Sequence, residues 1–167
     1  LSTPAIIQGC FFIIGERMYY DVMILSGGFD PVHVGHLRMI QAAAELAEIV
    51  VVGVNSDEWL SRKKGYVFMP FEERAEIIQG FDGCTKAVGF NDEDNTASDL
   101  LRVTRAMYPD KNIAFGNGGD RTSANIPETP AAEETCIELV WSVGGGKVQS
   151  SSDLVKESRA NNPNENR

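Results

Sequence analysis

Histidine and cysteine are scarce in this chain of 167 residues: it has two of the first and three of the second. Cys10, Cys84 and Cys136 are odd in number and far apart, with no CxxC spacing among them. That pattern suits reduced thiols in a cytoplasmic setting better than a disulfide framework or a zinc site, and with no carboxylate cluster visible no protein-held metal is expected. Positive charge is also in deficit, with 15 Lys and Arg against 24 Asp and Glu and a formal net charge of −9. A field of that sign repels nucleic acid and anionic membrane, so neither is an expected partner, and any phosphate must be held by local cations and backbone N–H groups. No apolar run reaches the roughly 18 residues of a membrane span. The apolar stretch Pro4 to Ile14 lacks the basic flank of a signal peptide.

Runs of β-branched and apolar residues alternate with segments of helical period. This alternation predicts an α/β domain of the Rossmann-like, doubly wound kind, with about five parallel strands and helices on both faces. Strands are expected at Val22–Ser26, Ile49–Val54, Lys86–Phe90, Ile113–Phe115 and Ile137–Trp141. Helices are expected from His36 to Ala47, then at Phe71–Phe81, Ala97–Met107 and Ser151–Lys156. The domain is placed at residues 18–157, with an N-terminal extension at 1–17 and a polar tail at 158–167. The extension could add a strand, form an interface or simply precede Met18, and it is compatible with a homodimer.

Both histidines fall in one stretch, GGFDPVHVGHL, Gly27 to Leu37, between the first strand and the first helix. A helix N-terminus after a glycine-rich turn offers unpaired N–H groups to phosphate. Gly27, Gly28 and Gly35 remove side chains where phosphate must approach the backbone, although neither GxGxxG nor the P-loop pattern is present. In their place stand two imidazoles, His33 and His36, each able to donate to phosphoryl oxygens. One such histidine alone would read as a helix cap. Asp30, within Asp-Pro, is a turn former and also a candidate contact.

The run GxFDPxHxGH resembles the first signature of the HxGH nucleotidyltransferases, the cytidylyltransferase-like superfamily that includes heptose 1-phosphate adenylyltransferase and glycerol-3-phosphate cytidylyltransferase. The resemblance implies that His33 and His36 act on the α-phosphorus of a nucleoside triphosphate while a substrate phosphate attacks and pyrophosphate leaves. It also implies that Gly27, Gly28, Phe29 and Gly35 lie along the nucleotide, and the chemistry of a triphosphate leads us to expect Mg²⁺ with it. Further motifs follow in order. Asn55-Ser56-Asp57 closes the second strand, where Asp57 is either a turn former or a substrate contact. Arg62-Lys63-Lys64 is the densest basic run of an acidic chain and is expected in a loop; Lys63 or Lys64 would hold the attacking phosphate. Arg74, in Phe71-Glu72-Glu73-Arg74, is similar to an inward-pointing substrate residue of the family.

Gly116 to Arg121 (GNGGDR) is similar to the K-G-G-D of heptose 1-phosphate adenylyltransferases, with Pro127-Glu128 matching a later P-E. By that likeness Gly118, Asp120 and Arg121 bind nucleotide. Asn117 stands where that family has lysine, and Arg121 could take over the charge. Ser150, Ser151 and Ser152 resemble the serine segment that holds the β- and γ-phosphates, and an N-cap alone explains one serine rather than three. The arginine that cytidylyltransferases carry just ahead of this segment is absent. The expected reaction joins a nucleoside monophosphate, from ATP by preference or from CTP, to a small sugar or polyol phosphate. Nicotinate mononucleotide adenylyltransferase and a non-catalytic nucleotide-binding module are the alternatives.

Overall fold

A computed structural model describes residues 12–14, 17–118, 126–145 and 149–161. Six strands and six helices follow one another through them: β1 (Phe12–Ile14), β2 (Arg17–Gly27), α1 (Val34–Leu46), β3 (Ala47–Val54), α2 (Asp57–Lys64), α3 (Phe71–Gln79), β4 (Lys86–Gly89), α4 (Ser98–Met107), β5 (Ile113–Gly116), α5 (Thr129–Thr135), β6 (Glu138–Val140) and α6 (Ser151–Ala160). Five strands form the expected parallel sheet in the order β4-β3-β2-β5-β6, and β1 pairs antiparallel with the start of β2. From β2 the chain winds outward through β3 and β4, then crosses back to β5 and β6. The reversal lies between β2 and β5, where Val22 faces Ile113 and Ile24 faces Phe115.

The middle of β2 is apolar on both sides because helices cover both faces. Met23 and Leu25 pack with Ile40 and Ala43 of α1 and Ile78 of α3. Val22 and Ile24 pack with Leu100 and Leu101 of α4 and Ala131 and Ala132 of α5. All four strand residues are fully buried, and each such side chain contributes about 1.5–3 kcal/mol. On β3, Gly53 leaves room for α4, since a Cβ there would come within 2.3 Å of Leu100 Cδ2.

Several expected boundaries move. Strand β2 begins at Arg17 and α6 runs to Ala160, so both edges expected for the domain, 18 and 157, fall inside elements. Residues 62–64 are the last turn of α2 rather than a loop; Ser56 caps that helix by accepting from Trp59 N at 3.0 Å, and Gly65 ends it in the left-handed region. Helix α5 falls between Pro127 and the last strand, where no helix was expected. Among the described residues no helix is long and apolar enough to cross a membrane.

Candidate active site

A cleft of about 300 Å³ opens over the carboxyl ends of β2 and β5, at the point where the strand order reverses. Open α/β sheets bind ligands in this crevice. Its walls are Ser26, Gly27 and Phe29 from β2 and the turn after it, and His33, Gly35, His36 and Met39 around the start of α1. Opposite them lie Gly116–Gly118 after β5, Val143–Gly145, and Gln149–Ser151 leading into α6.

The two histidines share one cap. His33 is the N-cap of α1 and its Nδ1 accepts from Gly35 N at 3.1 Å, while His36 Nδ1 accepts from His33 N at 3.2 Å. The rings stack with centroids 3.7 Å apart and planes inclined by 21°. Gly35 makes this fold-back feasible: a Cβ there would lie 2.9 Å from His33 Cε1 and 3.0 Å from its Nδ1. Below them the buried ring of Phe29, whose residue has φ 52, meets His36 edge-on at 4.8 Å.

Because each Nδ1 accepts a backbone N–H, the ring proton of the neutral form sits on Nε2. Burial pushes His36 down to about 3, assisted by His33 and Lys64, and burial followed by Lys64 lowers His33 as well. Both rings are therefore neutral near pH 7 and present Nε2–H donors. The cap uses Nδ1 of each ring and leaves Nε2 unengaged, so the cap reading and the expected phosphoryl contact do not exclude one another.

The two lysines separate. Lys64 is half-buried, its Nζ donates to Asp30 O at 2.9 Å, and its charge reaches both histidines. Burial is the main cause that lowers its own titration. Lys63 is exposed, with Nζ 4.8 Å above the Trp59 ring. Arg62 donates to Asp92 O at 2.8 Å and to Asn95 Oδ1 at 3.3 Å, which ties α2 to the acidic loop after β4.

Asp30 and Arg74, candidates for substrate contact, are both held inside the protein and are not among the residues that line the cleft. Asp30 is fully buried, and its carboxylate accepts from Phe68 N at 2.8 Å and Met69 N at 2.6 Å. Arg74 points inward as the family likeness implies, and it is also fully buried. Its guanidinium donates to the carbonyls of Gly28, Asn55 and Met69 and, at 2.6 Å, to Asp57 Oδ1. It thus joins the ends of β2 and β3 to the starts of α2 and α3, and Asp57 is its partner. Gly28 is not part of the cleft lining; a Cβ there would meet Leu60 of α2 at 2.9 Å.

Ser150 and Ser151 line the cleft and Ser152 does not. Ser150 is the N-cap of α6 but makes no side-chain capping bond, and Ser151 Oγ donates to Pro31 O at 2.8 Å, linking α6 to the histidine turn. Gly118 lines the cleft, whereas Asp120 and Arg121 lie outside the described residues. Sequence reasoning missed the wall formed by Met39 and Val143–Gly145, where a Cβ on Gly144 (φ 84) would come within 2.8 Å of Met39 Cα. It also missed Asp92, which accepts from Asn55 Nδ2, Ser56 N and Ser56 Oγ and so fixes the end of β3. Nothing in Asn91-Asp92-Glu93-Asp94 sets Asp92 apart from its acidic neighbours.

Comparison with known proteins gives a family. Residues 24–137 match the model described as Cytidylyltransferase-like. The chain is 32% identical to Bifunctional protein HldE of Streptomyces coelicolor over 121 residues, which cover 71% of this chain and 24% of that protein. It is 36% identical to Bifunctional protein HldE of Syntrophotalea carbinolica over 134 residues, 79% of this chain and again 24% of the relative. This chain therefore spans about a quarter of these relatives' length. Among solved structures, a bifunctional NMN adenylyltransferase/ADP ribose pyrophosphatase from Francisella tularensis shares the fold, with a TM-score of 0.60 and 18% identity over 83% of this chain and 42% of that one.

Proposed function

Because the chain belongs to the cytidylyltransferase-like family of nucleotidyltransferases, we propose that it transfers a nucleoside monophosphate from an NTP to a sugar or polyol phosphate, with release of pyrophosphate. ATP is the favoured donor, since the arginine of the cytidylyltransferase serine segment is absent. The order of Asn55-Ser56-Asp57, Lys63-Lys64-Gly65, Phe71 to Arg74, Gly118-Gly119-Asp120 and Pro127-Glu128 supports a heptose 1-phosphate adenylyltransferase-like acceptor. The cysteine usage suits a cytoplasmic setting.

The observation that carries the reading is the stacked histidine pair, with both Nε2–H groups left for a ligand at the switch-point cleft. Charge that develops on the transferring phosphoryl group would be met by these fixed neutral donors, which need no reorganisation as the reaction proceeds. Ser150 and the start of α6 would receive the departing phosphates. Lys64, rather than Lys63, is the cation beside the histidines and would steer the attacking phosphate into line. Asp57 and Arg74 are assigned to holding this arrangement rather than to touching substrate. Serine hydroxyls, two amides and imidazoles line the cleft, with no carboxylate among the described residues, a donor set that suits Mg²⁺ arriving on the triphosphate oxygens, whose charge it would neutralise.

Pyrophosphate release tests this, with ATP, CTP, GTP and UTP each paired with sugar phosphates, polyol phosphates and nicotinate mononucleotide in the presence of Mg²⁺. Release that requires ATP together with a sugar or polyol phosphate is the expected result. Binding of NTP without release from any pair would reduce the protein to a nucleotide-binding module.

A further inference from the structure

We propose that Asn117 contacts the nucleoside of the bound NTP, through its base or its ribose; this rests on the reading of the cleft as an NTP site. Asn117 follows β5 at the switch point and is 4% exposed. Its main chain is fixed on both sides: its N–H donates to Val140 O at 2.8 Å, and its carbonyl accepts from Val143 N at 3.2 Å. These bonds fix the backbone of Asn117 at the cleft wall and leave its side-chain torsions free. Its Nδ2 is buried and has no hydrogen-bond partner among the described residues.

Across this wall, from Gly116 to Gly118 and from Val143 to Gly145, Asn117 is the single residue with a polar side chain. A buried donor left unpaired destabilises the fold, so a donor retained at a ligand cleft points to an acceptor that the ligand brings. The resembling family has a lysine here, a point charge suited to phosphate. Asparagine offers two neutral N–H bonds instead, which match an uncharged acceptor: a ribose hydroxyl oxygen, or a carbonyl or ring nitrogen of the base. The histidines and Ser150 already supply donors for the phosphates on the other side of the cleft.

Asn117→Leu removes the donor while keeping similar bulk, and Asn117→Ser shortens the side chain. Both should raise KM for the preferred NTP by about 3- to 10-fold, the range for one neutral hydrogen bond, and leave kcat within about twofold. If the base is the acceptor, the rise is confined to the preferred nucleotide and discrimination among the four NTPs narrows. If the ribose is the acceptor, all four rise together and the 2′- or 3′-deoxy nucleotide loses the same factor with the unsubstituted protein. Unchanged KM values in folded variants would overturn the proposal. A readout independent of turnover is the ¹⁵N–¹H resonance pair of the Asn117 side chain in the unsubstituted protein, which should shift when NTP is added; failure to shift overturns the contact even if both variants fail to fold. A shift in a protein that releases no pyrophosphate from any substrate pair would sink the transferase reading and leave this contact standing.

Discussion

The two ends of the sheet carry clefts of opposite character. At the carboxyl end lies the space of about 300 Å³ between the histidine pair and Asn117. At the amino end a larger one, about 830 Å³, lies among Asp21, Arg102, Arg105, Lys111, Glu134 and Cys136. Volume and charge would both favour the second. Its arginines, however, are already engaged: Arg105 donates to the carbonyls of Thr135, Cys136, Tyr108, Pro109 and Lys111, and Arg102 pairs with Glu134 at 2.9 Å. Among the described residues no ion pair crosses the smaller cleft, and its histidines and asparagine keep donors without a partner. Unengaged donors at a strand terminus are the better guide to function than size or formal charge.

The sharpest way to break this contrast is to remove one reserved donor. His36→Ala should lower turnover by about 100- to 1,000-fold, the cost of deleting one preorganised donor to developing charge. Loss of its half of the cap should cost about 1 kcal/mol near pH 7.5 and leave the chain folded, and a full rate in steady-state assays would remove the histidine pair from the mechanism.

Acid sharpens it next. His36 titrates near 3 in the folded chain and near its ordinary 6.5 when unfolded, so the unfolded chain binds the extra proton between those values. Stability is therefore complete above about pH 6.5 and falls as pH drops toward 3, with a loss on the order of 2 kcal/mol from this group by pH 5. Urea titrations at pH 7.5 and pH 5 should show the loss, and His36→Ala should reduce it.

The amino end should answer in the opposite way. Arg105→Met leaves five carbonyls without their donor and should cost about 1–2 kcal/mol in urea unfolding, while kcat/KM of the folded fraction stays at the parent value. Smallest of all, Arg102→Ala should move neither quantity, because its ion pair with Glu134 is exposed on both sides, with side-chain accessibilities of 49% and 59%. A drop in turnover from either arginine would give the amino-end cleft a role that its internal pairing argues against.

How much of this was legible beforehand varied with how local the cause was. The five parallel strands, their winding and the histidine turn follow from apolar runs and from one compact motif. Helix α2 was hidden because only Leu60 of its eight residues is buried and three of the eight are basic, so it shows little apolar periodicity. Helix α5 is seven residues long and carries a proline in its first turn. The partners of Arg74, namely Gly28, Asn55, Asp57 and Met69, converge only in space, and those of Asp92 lie 36 and 37 positions earlier. No local pattern encodes such partners. That Lys64 rather than Lys63 reaches the first turn likewise depends on which side of α2 faces it.

The shared cap at the start of α1 carries one last consequence, for how such a protein could lose its activity in the course of descent. Asparagine, aspartate and serine are stronger helix N-caps than histidine. Replacing His33 by one of them keeps or improves the cap while erasing an Nε2–H donor from the cleft. A silent descendant of this chain would then fold as well as its parent, and neither expression level nor melting temperature would reveal that the chemistry had gone.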